Sequence, residues 1–158
     1  VATYASRAAE KLRRQNSAAK MISVFIVSKE QNHNSTFNRG ATISTYIILP
    51  MATSKTNELI KPALAMVERL YSENTIYKKA GVMLSHIVPD TSIQGNLFIS
   101  DTANKGKLLM DMIDNINFSQ RNDILKFASS GTKRNWKMQQ NFHSPKYTSR
   151  WDDLYQVK

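Results

Sequence analysis

Cysteine is absent from this 158-residue chain, which excludes disulfide staples and zinc–thiolate sites and suits a reducing, cytoplasmic compartment. Acidic residues are scarce as well. Twelve Asp and Glu stand against 22 Lys and Arg, for a net charge of +10 and a pI near 9.9. Such a surplus favours a polyanion as partner, and nucleic acid is the polyanion that proteins most often meet. Long hydrophobic runs are missing too. No stretch approaches the ~20 apolar residues that a membrane span needs, and no signal-peptide pattern opens the chain. Internal repeats and low-complexity tracts are likewise absent. What remains is 41% hydrophobic and rich in Asn, Ser, Thr and Gln, enough for one core with part of the chain lying outside it. The first residue is Val1 rather than methionine, from which a piece of a longer protein is expected.

Residues 1–16 carry a helical pattern, with Tyr4, Ala8 and Leu12 on one stripe and Arg7, Lys11 and Arg14 on another. Met21 to Val27 is short, apolar and β-branched, which predicts a strand between Lys20 and Lys29. The polar stretch 31–40 ends in the turn signal Asn38-Arg39-Gly40. A second strand is expected from Ala41 to Leu49, stopped by Pro50. Thr53 or Ser54 then caps a helix whose Ile60, Ala63, Leu64, Val67 and Tyr71 recur at helical spacing, with Pro62 kinking it or delaying its start. Tyr77 to Ile87 reads as a third strand, with Ala80, Val82 and Leu84 inward and Lys79, Gly81 and Met83 outward. Helix, strand, strand, helix, strand is an α+β order: an antiparallel-rich sheet with two helices on one face and the other face open. Composition changes at Pro89. Residues 91–158 are expected to be a linker and a partly ordered tail, with a short amphipathic helix over Leu108, Leu109, Met112, Ile113 and Ile116 and a candidate strand at Ile124–Phe127. Residues 1–90 hold 12 basic residues against 6 acids and residues 91–158 hold 10 against 6, so both parts are equipped for a polyanion.

Catalytic chemistry is sparse. Two-metal phosphoryl transfer needs converging carboxylates, and the one suitably spaced pair, Asp111 and Asp114, falls on what reads as the solvated side of an amphipathic helix. His33, His86 and His143 are isolated and lack metal-ligand spacing. Neither a Gly-rich phosphate loop nor a nucleophile elbow occurs, and Asn34-Ser35-Thr36 reads as a polar loop rather than a glycosylation site. The open sheet face is more promising. Lys78, Lys79 and Gly81 on the third strand, with Lys20, Ser23, Lys29, Arg39, Thr42 and Ser44 from its neighbours, supply the cations, hydroxyls and close backbone approach that suit phosphate oxygens. The bland alternative is that strand-end lysines protect edges and keep the protein soluble. Gln94-Gly95-Asn96-Leu97-Phe98 has the form of a docking peptide, a polar anchor followed by an apolar pair, against the alternative of an apolar pair packing on its own domain.

Five segments carry a family resemblance: Tyr4-Ala5-Ser6-Arg7-Ala8-Ala9-Glu10-Lys11-Leu12-Arg13, Tyr77-Lys78-Lys79-Ala80-Gly81-Val82-Met83-Leu84, Gln94–Phe98, Trp136-Lys137-Met138 and Ser144-Pro145-Lys146-Tyr147-Thr148-Ser149-Arg150. In that order and over nearly the whole chain they resemble the C-terminal region of the bacterial SOS-induced Y-family DNA polymerases of the UmuC type. The resemblance implies a little-finger domain at residues 1–90 that grips primer–template or damaged DNA, with Lys78 and Lys79 meeting template phosphates. It implies that Gln94, Leu97 and Phe98 dock on the β sliding clamp. It also implies that Trp136, Pro145, Tyr147 and Arg150 belong to a tail that contacts the processed UmuD dimer and RecA. No cofactor or metal site is implied here, since magnesium and nucleotidyl transfer belong to a catalytic domain outside this chain. Gly95 departs from the family's usual leucine and weakens docking, and Met83 replaces a base found in some relatives. A missing first strand leaves an unpaired sheet edge, which invites dimerisation of the isolated chain.

The expected function is therefore DNA binding and recruitment for SOS translesion synthesis, with no enzymatic activity of this chain alone. Three rivals make different demands. A stand-alone RNA- or ribosome-binding α+β module would prefer A-form RNA. A small nuclease would depend on Asp111 or Asp114 and magnesium. A purely structural domain would show no salt-sensitive polyanion binding.

Overall fold

The computed structural model describes residues 1–29, 41–95, 103–120, 123–132, 142 and 144–154. The elements are helix α1 (Ala2–Arg14), strands β1 (Ser17–Ser28) and β2 (Thr42–Thr53), helix α2 (Thr56–Leu70), strand β3 (Tyr77–Pro89) and helix α3 (Ala103–Ser119). Three short 3₁₀ turns lie at Asp90–Ser92, Ala128–Ser130 and Trp151–Asp153. The fold is α+β, as the order of patterns predicted. The sheet is antiparallel in the order β2-β1-β3, so both outer strands have one neighbour among the described residues.

The core lies between the sheet and the α1–α2 layer. Ile22 and Val24 of β1 meet Ala2, Ala5, Ala9 and Leu12 of α1 and Leu59, Ile60, Ala63 and Met66 of α2. The buried stripe of α1 is thus one position round from the expected one. Ala5 and Ala9 are fully buried, whereas Tyr4 is 42% exposed, because alanines let the helix approach the layer more closely than tyrosine would. On α2 the expected Ile60 and Ala63 are buried and Leu64 and Val67 pack against the core; Leu59 and Met66 widen the stripe, and Tyr71 leaves it, exposed with its ring against Tyr77.

Two prolines behave differently from expectation. Pro50 does not end β2, which continues to Thr53. From Ala19 to Met21 on β1 the partner changes from Thr53 to Ile48, so β2 spans five residues where β1 spans two. Pro50 sits in this bulge on an outer strand, where a missing amide hydrogen costs no ladder bond. Pro62 lies inside a helix that runs through it without interruption. The start of α2 also differs. Lys55 is the cap residue and makes no side-chain cap bond; Thr53 Oγ1 instead accepts from the Lys55 amide at 3.1 Å and donates to Glu58 at 2.5 Å.

Past Pro89 the chain is more structured than its composition suggested. Helix α3 begins at Ala103, five residues ahead of the Leu108 where the expected helix started. Ile124–Phe127 is not a strand. The Asn117 side chain takes the place of a neighbouring strand, accepting from the Leu125 amide at 2.8 Å and donating to its carbonyl at 2.9 Å.

Candidate nucleic-acid interface

Antiparallel register sets the open face of the sheet in rows, because directly opposed residues point to the same side. Core residues Ile22 and Val24 define the inner face, so Met21, Ser23, Phe25 and Val27 define the outer one. The outer rows are Thr42–Val27–Lys79, Ser44–Phe25–Gly81, Tyr46–Ser23–Met83 and Ile48–Met21–Ser85. Five of the expected contacts (Ser23, Thr42, Ser44, Lys79 and Gly81) lie on this surface. None of the residues in these rows is acidic.

The cations gather at one end. Lys79 opposes Val27, and the Lys29 amide donates to the Ile76 carbonyl at 2.7 Å, which brings Lys29 beside the start of β3. Lys29, Lys78 and Lys79 are all exposed. Alternation along β3 sends Lys78 to the helix side of the sheet and leaves Lys79 on the open side. Lys20 is exposed at the far end of β1, roughly 30 Å away at ~3.3 Å per residue. It stands where the register to β2 shifts, near His86, whose φ of 52° is left-handed. Arg39 lies outside the described residues.

Gly81 has a different role from the one expected of it. A Cβ built there would lie 2.3 Å from Cζ of Phe25. The glycine makes room for the Phe25 ring, which lies over it and leaves its backbone only partly exposed. The centre of the face is more apolar than the sequence pattern suggested: Tyr46 is 62% exposed, Ile48 61% and Met83 59%.

The other expected contacts are scattered. Gln94 and Gly95 are exposed, and a Cβ at Gly95 would meet nothing within 4 Å; Leu97 and Phe98 lie outside the described residues. In the tail, the amides of Ser149 and Arg150 both donate to the Lys146 carbonyl at 3.0 Å, and the Lys146 amide donates to Asp153 Oδ2 at 3.0 Å. Pro145, Tyr147 and Arg150 are exposed on this closed turn, and Trp136 lies outside the described residues. Trp151, which the sequence reading did not single out, is 88% exposed beside them; its signal was an aromatic followed by two acids in an otherwise basic tail.

Asp114 does not lie on the solvated side of its helix: its side chain is 22% exposed and paired with Arg13. Arg13 donates to its two oxygens from Nε at 2.6 Å and Nη2 at 2.8 Å. The same guanidinium donates from Nη1 to the Ser54 carbonyl at 2.7 Å and to Thr56 Oγ1 at 3.0 Å. The Arg13 side chain is 8% exposed, which makes it the pin joining α1, the start of α2 and α3. Sequence periodicity hid it, because one arginine in the basic run Lys11-Leu12-Arg13-Arg14 reads as solvated. Further links tie the later chain to this layer: Arg7 to Asp123 at 3.5 Å, Lys107 to Asp90 at 2.8 Å, and the hydroxyls of Thr3 and Ser6 to Ser130. The Asp90 carboxylate holds the Lys107 ammonium above its ordinary pKa, chiefly through this hydrogen bond. Met110 is buried and Phe127 packs on the core cluster. Among the described residues, no group of three or more His, Asp and Glu could hold a metal ion, and no helix is long and apolar enough to cross a membrane.

Residues 1–97 match the impB/mucB/samB family C-terminal domain. The chain belongs to that family. A domain of unknown function (DUF4113) matches residues 107–157. Protein UmuC of Salmonella typhimurium is 31% identical over 159 aligned residues, covering 100% of this chain and 37% of that protein. Protein MucB of Salmonella typhimurium and Protein MucB of Escherichia coli are each 35% identical over 156 residues, covering 98% of this chain and 36% of the relative. The chain thus spans little more than a third of the relatives it matches. The UmuC-type resemblance read from five short segments holds along its whole length.

Proposed function

We infer that this chain is the DNA-gripping and docking region of an error-prone, SOS-induced translesion DNA polymerase. Collinear similarity to UmuC-type proteins is the observation that carries this reading. The open face adds support: it has no carboxylate in its paired rows and gathers exposed lysines at one end, which is the electrostatics a primer–template backbone requires. Nucleotidyl transfer and its magnesium belong to a catalytic region beyond these residues. Gln94, Leu97 and Phe98 form the peptide for the β sliding clamp, and the exposed position of Gln94 is compatible with that role. Trp136, Pro145, Tyr147 and Arg150 contact the processed UmuD dimer and RecA.

Binding to a bacterial β sliding clamp tests the reading where electrostatics alone cannot mimic it. The chain is expected to bind, and Leu97→Ala with Phe98→Ala is expected to abolish binding, since such an apolar pair supplies most of a docking peptide's affinity. Unchanged binding by the double variant would remove the docking assignment. A preference for A-form RNA over primer–template DNA would transfer the chain to the class of RNA-binding modules.

A further inference from the structure

Strand β2 is an outer strand among the described residues, and its edge is unguarded. The Ser28 amide donates to the Ala41 carbonyl at 3.1 Å, which fixes the alternation along the antiparallel pair. Ile43, Thr45 and Ile47 turn their backbone groups to β1, while Thr42, Ser44, Tyr46 and Ile48 turn theirs outward. Outer strands usually deter a second chain with charge, proline or a bulge. The other outer strand, β3, carries Lys78 and Lys79. In contrast, β2 has no charged residue from Thr42 to Thr53, and its proline and bulge come only after Ile48. Within residues 42–48 every residue but Ser44 is β-branched or aromatic, the composition that pairs readily with another strand.

We propose that residues 42–48 pair antiparallel with the same residues of a second copy of this chain, about a twofold axis at Thr45. The contact joins two sheets into one and is independent of the DNA-binding reading. Register is the first feature that selects a second copy. Centred on Thr45, the pairing sets Thr42 opposite the partner's Ile48, Ile43 opposite Ile47 and Ser44 opposite Tyr46. Outward backbone groups then meet outward groups, as an isologous ladder requires. A centre at Tyr46 would oppose Thr42 to Pro50, which has no amide hydrogen. A centre at Ser44 would carry Ile47 and Ile48 past the start of the strand. Burial is the second feature. Ile43, 49% exposed on the helix side, comes to lie beside the partner's Ile47, and the exposed Tyr46 and Ile48 gain cross-strand neighbours. Charge is the third. The exposed lysines lie beyond the Thr42 end of β2, in line with the row Thr42–Val27–Lys79. Antiparallel pairing sends the two groups to opposite ends, roughly 20 Å apart along the strands, well beyond a Debye length of about 8 Å at physiological salt.

The test is sedimentation equilibrium of the whole chain across a salt series. The contact is small, so a weak equilibrium is expected, with dimer growing in between about 1 and 100 µM. Salt should strengthen it, because two chains of net charge +10 repel each other. Ser44→Pro removes an outward amide that no strand of its own chain uses. Two such amides are lost per dimer, so association is expected to weaken about tenfold or more, with the thermal midpoint of the dilute chain showing that the variant folds. Cross-linking then reads the register, since the chain has no cysteine of its own. Thr45→Cys sets two thiols at the axis, on Cα atoms about 4.5 Å apart and within disulfide reach, and should give a covalent dimer under mild oxidation. Thr42→Cys sets them roughly 20 Å apart and should not. A chain that stays monomeric at about 100 µM in high salt would overturn the proposal. So would a dimer that salt dissociates, or one that Ser44→Pro leaves intact. Equal cross-linking of the two cysteine variants would move the contact to another surface, such as the exposed Leu108, Met112 and Ile116 of α3, and refute the pairing.

Discussion

At the residue scale, Arg13 matters more than any cation on the open face. A nearly buried guanidinium needs most of its five N–H donors satisfied, and this one has four bonds, to Asp114, Thr56 and the Ser54 carbonyl. Removing one partner of a buried pair costs more than the pair contributes, because a charge is left uncompensated. Arg13→Met is therefore expected to lower unfolding free energy by about 2–3 kcal/mol, below the range for fully buried pairs because Asp114 retains some water. Asp114→Asn should cost less, since an amide oxygen still accepts one bond. Chemical denaturation of the two variants checks the order; equal and negligible effects would reduce the contact to an ordinary surface ion pair. Gly81 teaches a related lesson. The sequence showed a glycine in a strand, and close approach was rightly inferred, but what approaches is the protein's own Phe25 ring.

At the element scale, the three strands and two helices of the first 90 residues were legible because each has a strong period bounded by turn residues. Which helix face is buried was less legible, since period alone does not choose between adjacent stripes. Ala5 and Ala9 are buried through their small size, and neither is conspicuous in a hydrophobicity pattern. The strand expected at Ile124–Phe127 failed for another reason: the Asn117 side chain, eight residues back, satisfies the Leu125 backbone, and a side-chain partner of that kind leaves no period to read. Pro62 gives an element-scale prediction. Its missing amide hydrogen leaves the Glu58 carbonyl without a helical donor, and alanine is the better helix former by ~3 kcal/mol in an interior turn. Part of that gain is offset by proline's restriction of the unfolded chain, ~1 kcal/mol, and by lost packing of a half-buried ring. Pro62→Ala is expected to raise the thermal midpoint by about 2–4 °C. A fall would mean that the ring's packing outweighs the restored helical bond.

At the scale of the whole molecule, net charge and family order were readable from the sequence alone, whereas the tie between the two family segments was not. Composition marked a change at Pro89, yet α3 and the 123–130 stretch return to α1 through polar contacts, and Phe127 packs against the core cluster. These pairings join residues about a hundred positions apart, and no pattern along the chain announces them. One cooperative unfolding transition is expected, with calorimetric and van't Hoff enthalpies in agreement; two resolved transitions would show the later segment melting independently. The Arg13–Asp114 pair also bears on how such proteins could be recombined. One charge lies in the segment matched at residues 1–97 and the other in that matched at 107–157. A chimaera that exchanged either segment for one lacking the complementary charge would inherit an orphaned ion at its seam, so the two residues have to be transplanted together.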